Sequence, residues 1–444
     1  MSNVPMTNPD GALANIETNW GYASFVELEG GDILWGYGWN FRTSADGGLS
    51  WSEPFKHVDS DGLPVTCSGL VNLSGSGIGA VSFGYYDKDD AANLLHKGQL
   101  FFWRSEDAGR TWQPPIAVTP PGAMNQLLPG SLFRASTGRI FIPAYIHFGQ
   151  KIVAQVPGTI TREDGRDPTI PYDGTLYRNQ WVSTSAHYHD PTFCASTVYY
   201  SDDDGLTWQQ TRSEYMPVVI EPTGPYHWTD EPTVTEVAPK HLLMFHRTPL
   251  GRLFQSWSYD DGDTWTRPQP TQLAADNSPA KLVSLPGTGH LLCVWSQHNE
   301  EEVRRCQTRI RLSSAISRSG GAVWEFFQNV ESILEPTWVP PGPIRVTRPE
   351  NTYHRAGMAA PVLDPAYVSP ALEGFGRWSY PTVLVYHDRV LVHHSYTKYD
   401  HMARRVPAGY GSRLKVLPIQ WFYGDTDPTM DIPDLPYSVR PAVP

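Results

Sequence analysis

The sequence predicts an all-β chain, a six-bladed β-propeller of four-stranded antiparallel blades with residues 1–444 as a single domain. Three observations predict it: a recurring turn motif, recurring strand starts, and a composition that favours turns over helices. The motif is Ser-x-Asp-x-Gly-x-(Thr/Ser)-Trp. It occurs as Ser44 to Trp51, Ser105 to Trp112, Ser201 to Trp208 and Ser258 to Trp265; a further copy, Ser317 to Trp324, has lost its Asp and Thr. An Asp side chain bonds nearby backbone N–H groups, Gly permits positive φ, and Trp offers a large face to a neighbouring sheet.

The strand starts repeat as well. Glu231-Pro232-Thr233-Val234 and Tyr380-Pro381-Thr382-Val383 are near copies, and Ser278-Pro279-Ala280-Lys281-Leu282 and Tyr22-Ala23-Ser24-Phe25-Val26 fit the same template. Each precedes a turn and a second apolar strand. With starts near Cys67 and Leu128, six units begin near residues 20, 65, 125, 230, 277 and 378. Short sheets repeated about an axis make a propeller. A seventh blade would have to lie within 149–193 or 325–377. The 38 Gly and 40 Pro suit many short strands joined by turns.

Charge and hydropathy bound the partners. A formal charge of -12 opposes a nucleic-acid surface, which needs clustered Lys and Arg. No apolar run reaches the roughly 18 residues that span a bilayer, so no membrane partner is expected. Met1 to Gly11 lacks the charged and apolar segments of a secretory leader. A cytoplasmic protein, or a secreted or periplasmic one whose leader has been removed, is the expectation. Cys67, Cys194, Cys293 and Cys306 are too dispersed for a disulfide framework and read as buried free thiols. His187-Tyr188-His189-Asp190 with Cys194 falls short of the three or four ligands at defined spacing that a metal needs, and no cofactor or metal is expected.

The repeated motif resembles the Asp boxes of the sialidase superfamily, and the resemblance covers most of the chain. In that family each box links the third and fourth strands of a blade. The implied role is structural, which removes Asp46, Asp107, Asp203 and Asp260 from the site. With the boxes on one face, first strands start and second strands end on the other. Residues 149–193, joining strands two and three of the third blade, and 325–377, joining the fifth blade to the sixth, become long insertions over that face. Long loops of this kind are commonly functional.

Several reactive groups converge there. Glu231 and Tyr380 hold equivalent first-strand positions, Arg247 ends the second strand of blade four, and Arg309 opens the third strand of blade five. His147 ends the second strand of blade three, and Tyr85, Tyr86 and Asp87 end that of blade two. Trp20, Trp39, Trp181, Trp228 and Trp378 lie near the same face, and Trp39 and Trp228 are the candidate platforms for the C–H face of a sugar. The resemblance implies that Glu231 takes the proton of Tyr380, that Tyr380 attacks the anomeric carbon, and that Arg247 and Arg309 hold a substrate carboxylate. The chemistry agrees: a phenol near its free pKa of about 10 needs an adjacent base, and Arg binds a carboxylate with two parallel hydrogen bonds.

The pattern departs from the family at two points. No Phe-Arg-Ile-Pro motif is present, and Arg42 sits in the strand entering the first box. Only Trp39-Asn40-Phe41 occupies the place of the loop that carries the family's acid, leaving Asp87, Asp89 and Asp90 of blade two as candidate proton donors. The expected function is an exo-acting glycoside hydrolase on a sialic-acid-like or uronic-acid-containing glycan. A second reading is a polysaccharide lyase, in which Tyr380 or His147 removes the proton α to a uronate carboxylate and Arg247 neutralises the acid. The third is a glycan-binding propeller without activity, because fold does not fix function.

Overall fold

The structure is a computed structural model, and it describes residues 11–86, 94–120, 125–149, 152–154, 174–177, 180–183, 192–219, 226–227, 229–300, 302, 309–332, 334–345, 376–399, 405–424 and 426–427. Six antiparallel blades form a ring. Blade two runs Gly69–Asn72, Ile78–Tyr86, Leu94–Ser105 and Ile116–Ala117; blade four runs Asp230–Ala238, His241–Arg247, Arg252–Ser258 and Gln269–Ala274. Blade five runs Ala280–Ser284, Leu291–Ser296, Arg311–Ser317 and Glu325–Ser332. In blade one the fourth position shrinks to a bridge between Phe41 and Phe55 beside Asn40–Ser44.

Six apolar clusters cement the ring, one for each pair of neighbouring blades. Leu34 and Phe41 meet Ile78 and Trp103; Phe102 meets Ile140 and Ile142; Phe141 and Val198 meet Leu242 and Met244. Phe245 meets Leu291 and Trp295, Val294 and Leu312 meet Val392 and Trp378, and Leu391 meets Ile33 and Trp35. Each blade therefore buries both faces, which explains the run of consecutive buried residues in strands such as Leu291–Ser296. Around the axis, hydroxyls tie first strands together: Ser24 Oγ accepts from Leu70 N at 2.7 Å, and Thr382 Oγ1 donates to Ala23 O at 3.0 Å.

The boxes lie between third and fourth strands. In the second, Asp107 accepts from Thr111 N at 2.8 Å, Thr111 Oγ1 at 2.7 Å and Ser105 Oγ at 2.9 Å, and the Trp112 indole donates to Gly109 O at 3.0 Å. The Thr111 amide and hydroxyl do most to hold the Asp107 carboxyl down at about 2. Gly205 of the third box, at φ 85°, lies so close to Phe102 of the preceding blade that an added Cβ would stand 2.2 Å from its ring. Asp107→Ala is expected to cost about 1 kcal/mol, since these bonds face solvent, and to leave any activity intact. Chemical denaturation checks it. The contribution is present above the carboxyl's ordinary value and fades as pH falls towards 2.

Three features differ from the sequence reading. Blade six, with Gly376–Tyr386, Arg389–Tyr399 and Arg405–Pro418, takes its outer strand from Ala14–Thr18, so that residues near the start of the chain close the ring. Glu325–Ser332 is the fourth strand of blade five, so the connection to blade six begins after it, not at residue 325. The insertion between strands two and three of blade three, Ile140–Gly149 and Thr192–Ser201, holds a three-stranded sheet of its own: Ile152–Ala154, Gly174–Tyr177 and Gln180–Ser183. Cys67, Cys194 and Cys293 are buried free thiols, and Cys306 lies outside the described residues.

Candidate active site

Glu231 and Tyr380 sit at matching irregularities. In each first strand the register shifts, between Asp230 and Thr233 in blade four and between Ser379 and Thr382 in blade six. Both residues adopt positive φ, 37° for Glu231 and 57° for Tyr380, immediately before a proline that favours extended backbone. Arg309 also has positive φ, at 58°. Left-handed backbone in non-glycine residues costs about 1–3 kcal/mol and concentrates where side chains must be re-aimed for function.

The charges interlock. Arg247 Nη1 donates to Glu231 Oε2, lies 3.9 Å from Asp230 Oδ2, and its Nε donates to Asn277 Oδ1 at 2.8 Å. All four residues are buried. One guanidinium thus faces two carboxylates. Burial, reinforced by the Glu231 charge, pushes Asp230 well above the usual carboxylate range, and its Oδ1 is buried with no hydrogen-bond partner. Arg309 donates to Ser379 Oγ and to Asn277 O, each at 3.2 Å, and its guanidinium stands 5.5 Å from the Tyr380 ring centre. Among the described residues no carboxylate pairs with Arg309. Arg309 is thus a guanidinium that faces a hydroxyl and a carbonyl and no carboxylate among the described residues, which favours an anionic ligand.

Tyr380 is held above its ordinary pKa by burial first and then by the Glu231 charge, so the resting phenol keeps its proton. No hydrogen bond joins Glu231 to Tyr380 here; catalytic hydrogen bonds commonly tighten only when substrate binds. Tyr22 sets its ring edge against Tyr380 at 5.2 Å and also lines an adjacent pocket of about 200 Å³ with Tyr37, Trp39 and Tyr86. Trp39 leans on Tyr86 at 4.9 Å, with Lys56 Nζ 4.0 Å from its ring centre. Glu231, Tyr380, Arg247 and Arg309 are therefore brought together, with Trp39 in the neighbouring pocket. Asp87, Asp89, Asp90, Trp228, His187 and His189 lie outside the described residues, as does the side chain of His147, whose backbone pairs with Cys194. Arg42 stands apart from the charged cluster, over Trp20 at 4.7 Å.

Four participants escaped the sequence reading: Asp230, Asn277, Ser379 and Tyr145. The first three immediately precede the blade-start template, in Asp230-Glu231-Pro232, Asn277-Ser278-Pro279 and Ser379-Tyr380-Pro381, and that alignment was the available signal. Tyr145 carries none. It is buried beside Cys194, donates to Gln126 Oε1 at 2.9 Å, and feels the charges of Asp230 and Glu231.

The sequence matches the family of BNR repeat-like domains over residues 92–392, about two thirds of the chain. The chain belongs to the BNR repeat-like family. This BNR-repeat propeller is sialidase-like in fold. It overlays the Hadza microbial sialidase Hz136 with a TM-score of 0.50 at 15% identity, covering 93% of this chain and 67% of that one. The NanB sialidase of Streptococcus pneumoniae gives a TM-score of 0.51 at 12% identity, with 94% and 72% covered. At such identities the likeness is one of fold. No curated protein matches the sequence.

Proposed function

We propose that this BNR-repeat propeller is a glycoside hydrolase that removes a terminal acidic sugar, sialic-acid-like or uronic, from a glycan. The observation that carries the reading is Arg309: a guanidinium without a carboxylate partner among the described residues, within 5.5 Å of the Tyr380 ring centre. In this mechanism Arg309 and Arg247 hold the sugar carboxylate. Glu231 takes the phenolic proton, the Tyr380 oxygen bonds to the anomeric carbon, and the glycosidic C–O bond breaks. The departing oxygen takes a proton from a carboxylic acid, a role for which Asp87 is the candidate from sequence. The carboxylate so formed then takes a proton from water, whose oxygen displaces the tyrosyl oxygen at the anomeric carbon, and Glu231 returns its proton to Tyr380. Solved structures of similar fold are described as sialidases, which supports a glycan ligand.

The test is turnover on a panel of acidic oligosaccharides, followed by reducing-end release and near-ultraviolet absorbance together. New reducing ends without absorbance are expected. An absorbing product, signalling a C4–C5 double bond, would replace hydrolysis by elimination. Binding without release from any member would replace both by recognition alone.

A further inference from the structure

The degenerate box of blade five does something the intact boxes do not. In the other four, the indole N–H is satisfied internally: Trp51, Trp112, Trp208 and Trp265 donate to the carbonyls of Gly48, Gly109, Gly205 and Gly262 at 3.0–3.2 Å. The degenerate box keeps part of that scaffold. Gly321 N donates to Ser317 Oγ, and Val323 N donates to Ser319 Oγ in place of the lost carboxylate, both at 2.8 Å. Yet the Trp324 indole nitrogen is buried without a hydrogen-bond partner. A buried donor left unpaired is unfavourable and is uncommon in native proteins.

Trp324 also lines a groove of about 580 Å³ between the outer strands of blade four and the box of blade five, its indole nitrogen buried beneath the surface. Phe327 and Trp338 supply aromatic faces, and Trp338 is half exposed at 50%. Gln255 and Gln272 supply side-chain amides that make no hydrogen bond among the described residues. No charged side chain lines the groove, and it shares no residue with the Glu231–Tyr380 cluster. An exposed ring and unused side-chain amides in a cleft of ligand size form the pattern of a small polar–apolar binding site.

We propose that this groove is a second glycan-binding site, taking a neutral pyranose of a sugar chain. The C–H face of the ring stacks on Trp338, and its hydroxyls meet Gln255 and Gln272. The missing charge selects neutral rings, whereas the arginines of the axial site select acidic ones. The proposal does not depend on the hydrolase reading.

Calorimetric titration of the full chain with cellotetraose, xylotetraose and a neutral N-acetyllactosamine tetrasaccharide tests it. At least one should bind saturably. Trp338→Ala should lower that affinity tenfold or more, and Gln272→Ala about threefold, with melting temperatures unchanged because both side chains are exposed. Glu231→Gln should leave the binding as it was. The proposal is overturned if none of the three saccharides binds, if Trp338→Ala retains full affinity, or if Glu231→Gln abolishes it. In the last outcome the sugar is occupying the axial site.

Discussion

Replacing Tyr380 by Phe is expected to lower turnover of an acidic glycan by about three orders of magnitude or more while leaving the melting temperature unchanged. The variant keeps the ring, and with it the edge contact to Tyr22 and the Arg309 guanidinium beside it. Only the phenolic oxygen is lost. Ground-state binding of the acidic sugar rests on the arginines, so the loss should fall on kcat and not on KM. Glu231→Gln should follow the same pattern with a smaller drop, about 10²–10³-fold, typical for removal of a proton acceptor. Turnover kinetics on the best substrate of the panel decide the matter: a rate for Tyr380→Phe equal to that of the unmodified protein would remove Tyr380 from the mechanism.

The second large effect concerns stability and spares the chemistry. Glu331, on the outer strand of blade five, is fully buried, and its Oε1 lies 2.8 Å from Arg413 Nη1, 2.9 Å from Lys415 Nζ and 3.3 Å from His394 Nε2. Arg413 in turn donates to Glu17 Oε1 at 3.0 Å, on the strand that completes blade six. Glu331→Ala leaves the Lys415 ammonium buried without its counter-charge, and a cost of about 3–5 kcal/mol is expected. The pH dependence has a definite sign. Despite its burial, contacts with His394, Lys415 and Arg413 hold the Glu331 carboxyl down at about 2, below its ordinary 4.5. Its contribution is therefore complete above 4.5 and lost as pH falls towards 2. The gap between the two proteins in denaturation curves should narrow from pH 7 to pH 3; a constant gap would refute the assignment.

The ring was legible in the sequence because the boxes combine turn chemistry with a fixed spacing, which few alternative folds would require. What escaped notice lacked one of those two signals. Glu325–Ser332 follows the box whose Asp and Thr are gone, and its bulged register blurs any alternation. Ala14–Thr18 follows no box at all, and its partner strand lies roughly 400 residues away. The site was half legible. Glu231, Tyr380, Arg247 and Arg309 declared themselves by position within a repeated template. Asp230 did not, because a carboxylate beside another carboxylate ordinarily reads as solvated surface; only the pairing of Asp230 with Arg247 across two strands reveals it as buried.

Closure of blade six by Ala14–Thr18 has a consequence for how the chain reaches its native state. The five pairs from Ala14 with Val416 to Thr18 with Ser412 join almost the two extremes of the described sequence. Such pairing carries the largest loop-closure entropy in the molecule and belongs late in folding. During synthesis, Arg405–Pro418 must emerge before the early strand has a partner. Until then the growing chain is an open arc. Its outermost blade presents an unpaired edge, the kind of surface that recruits a strand from a neighbouring molecule.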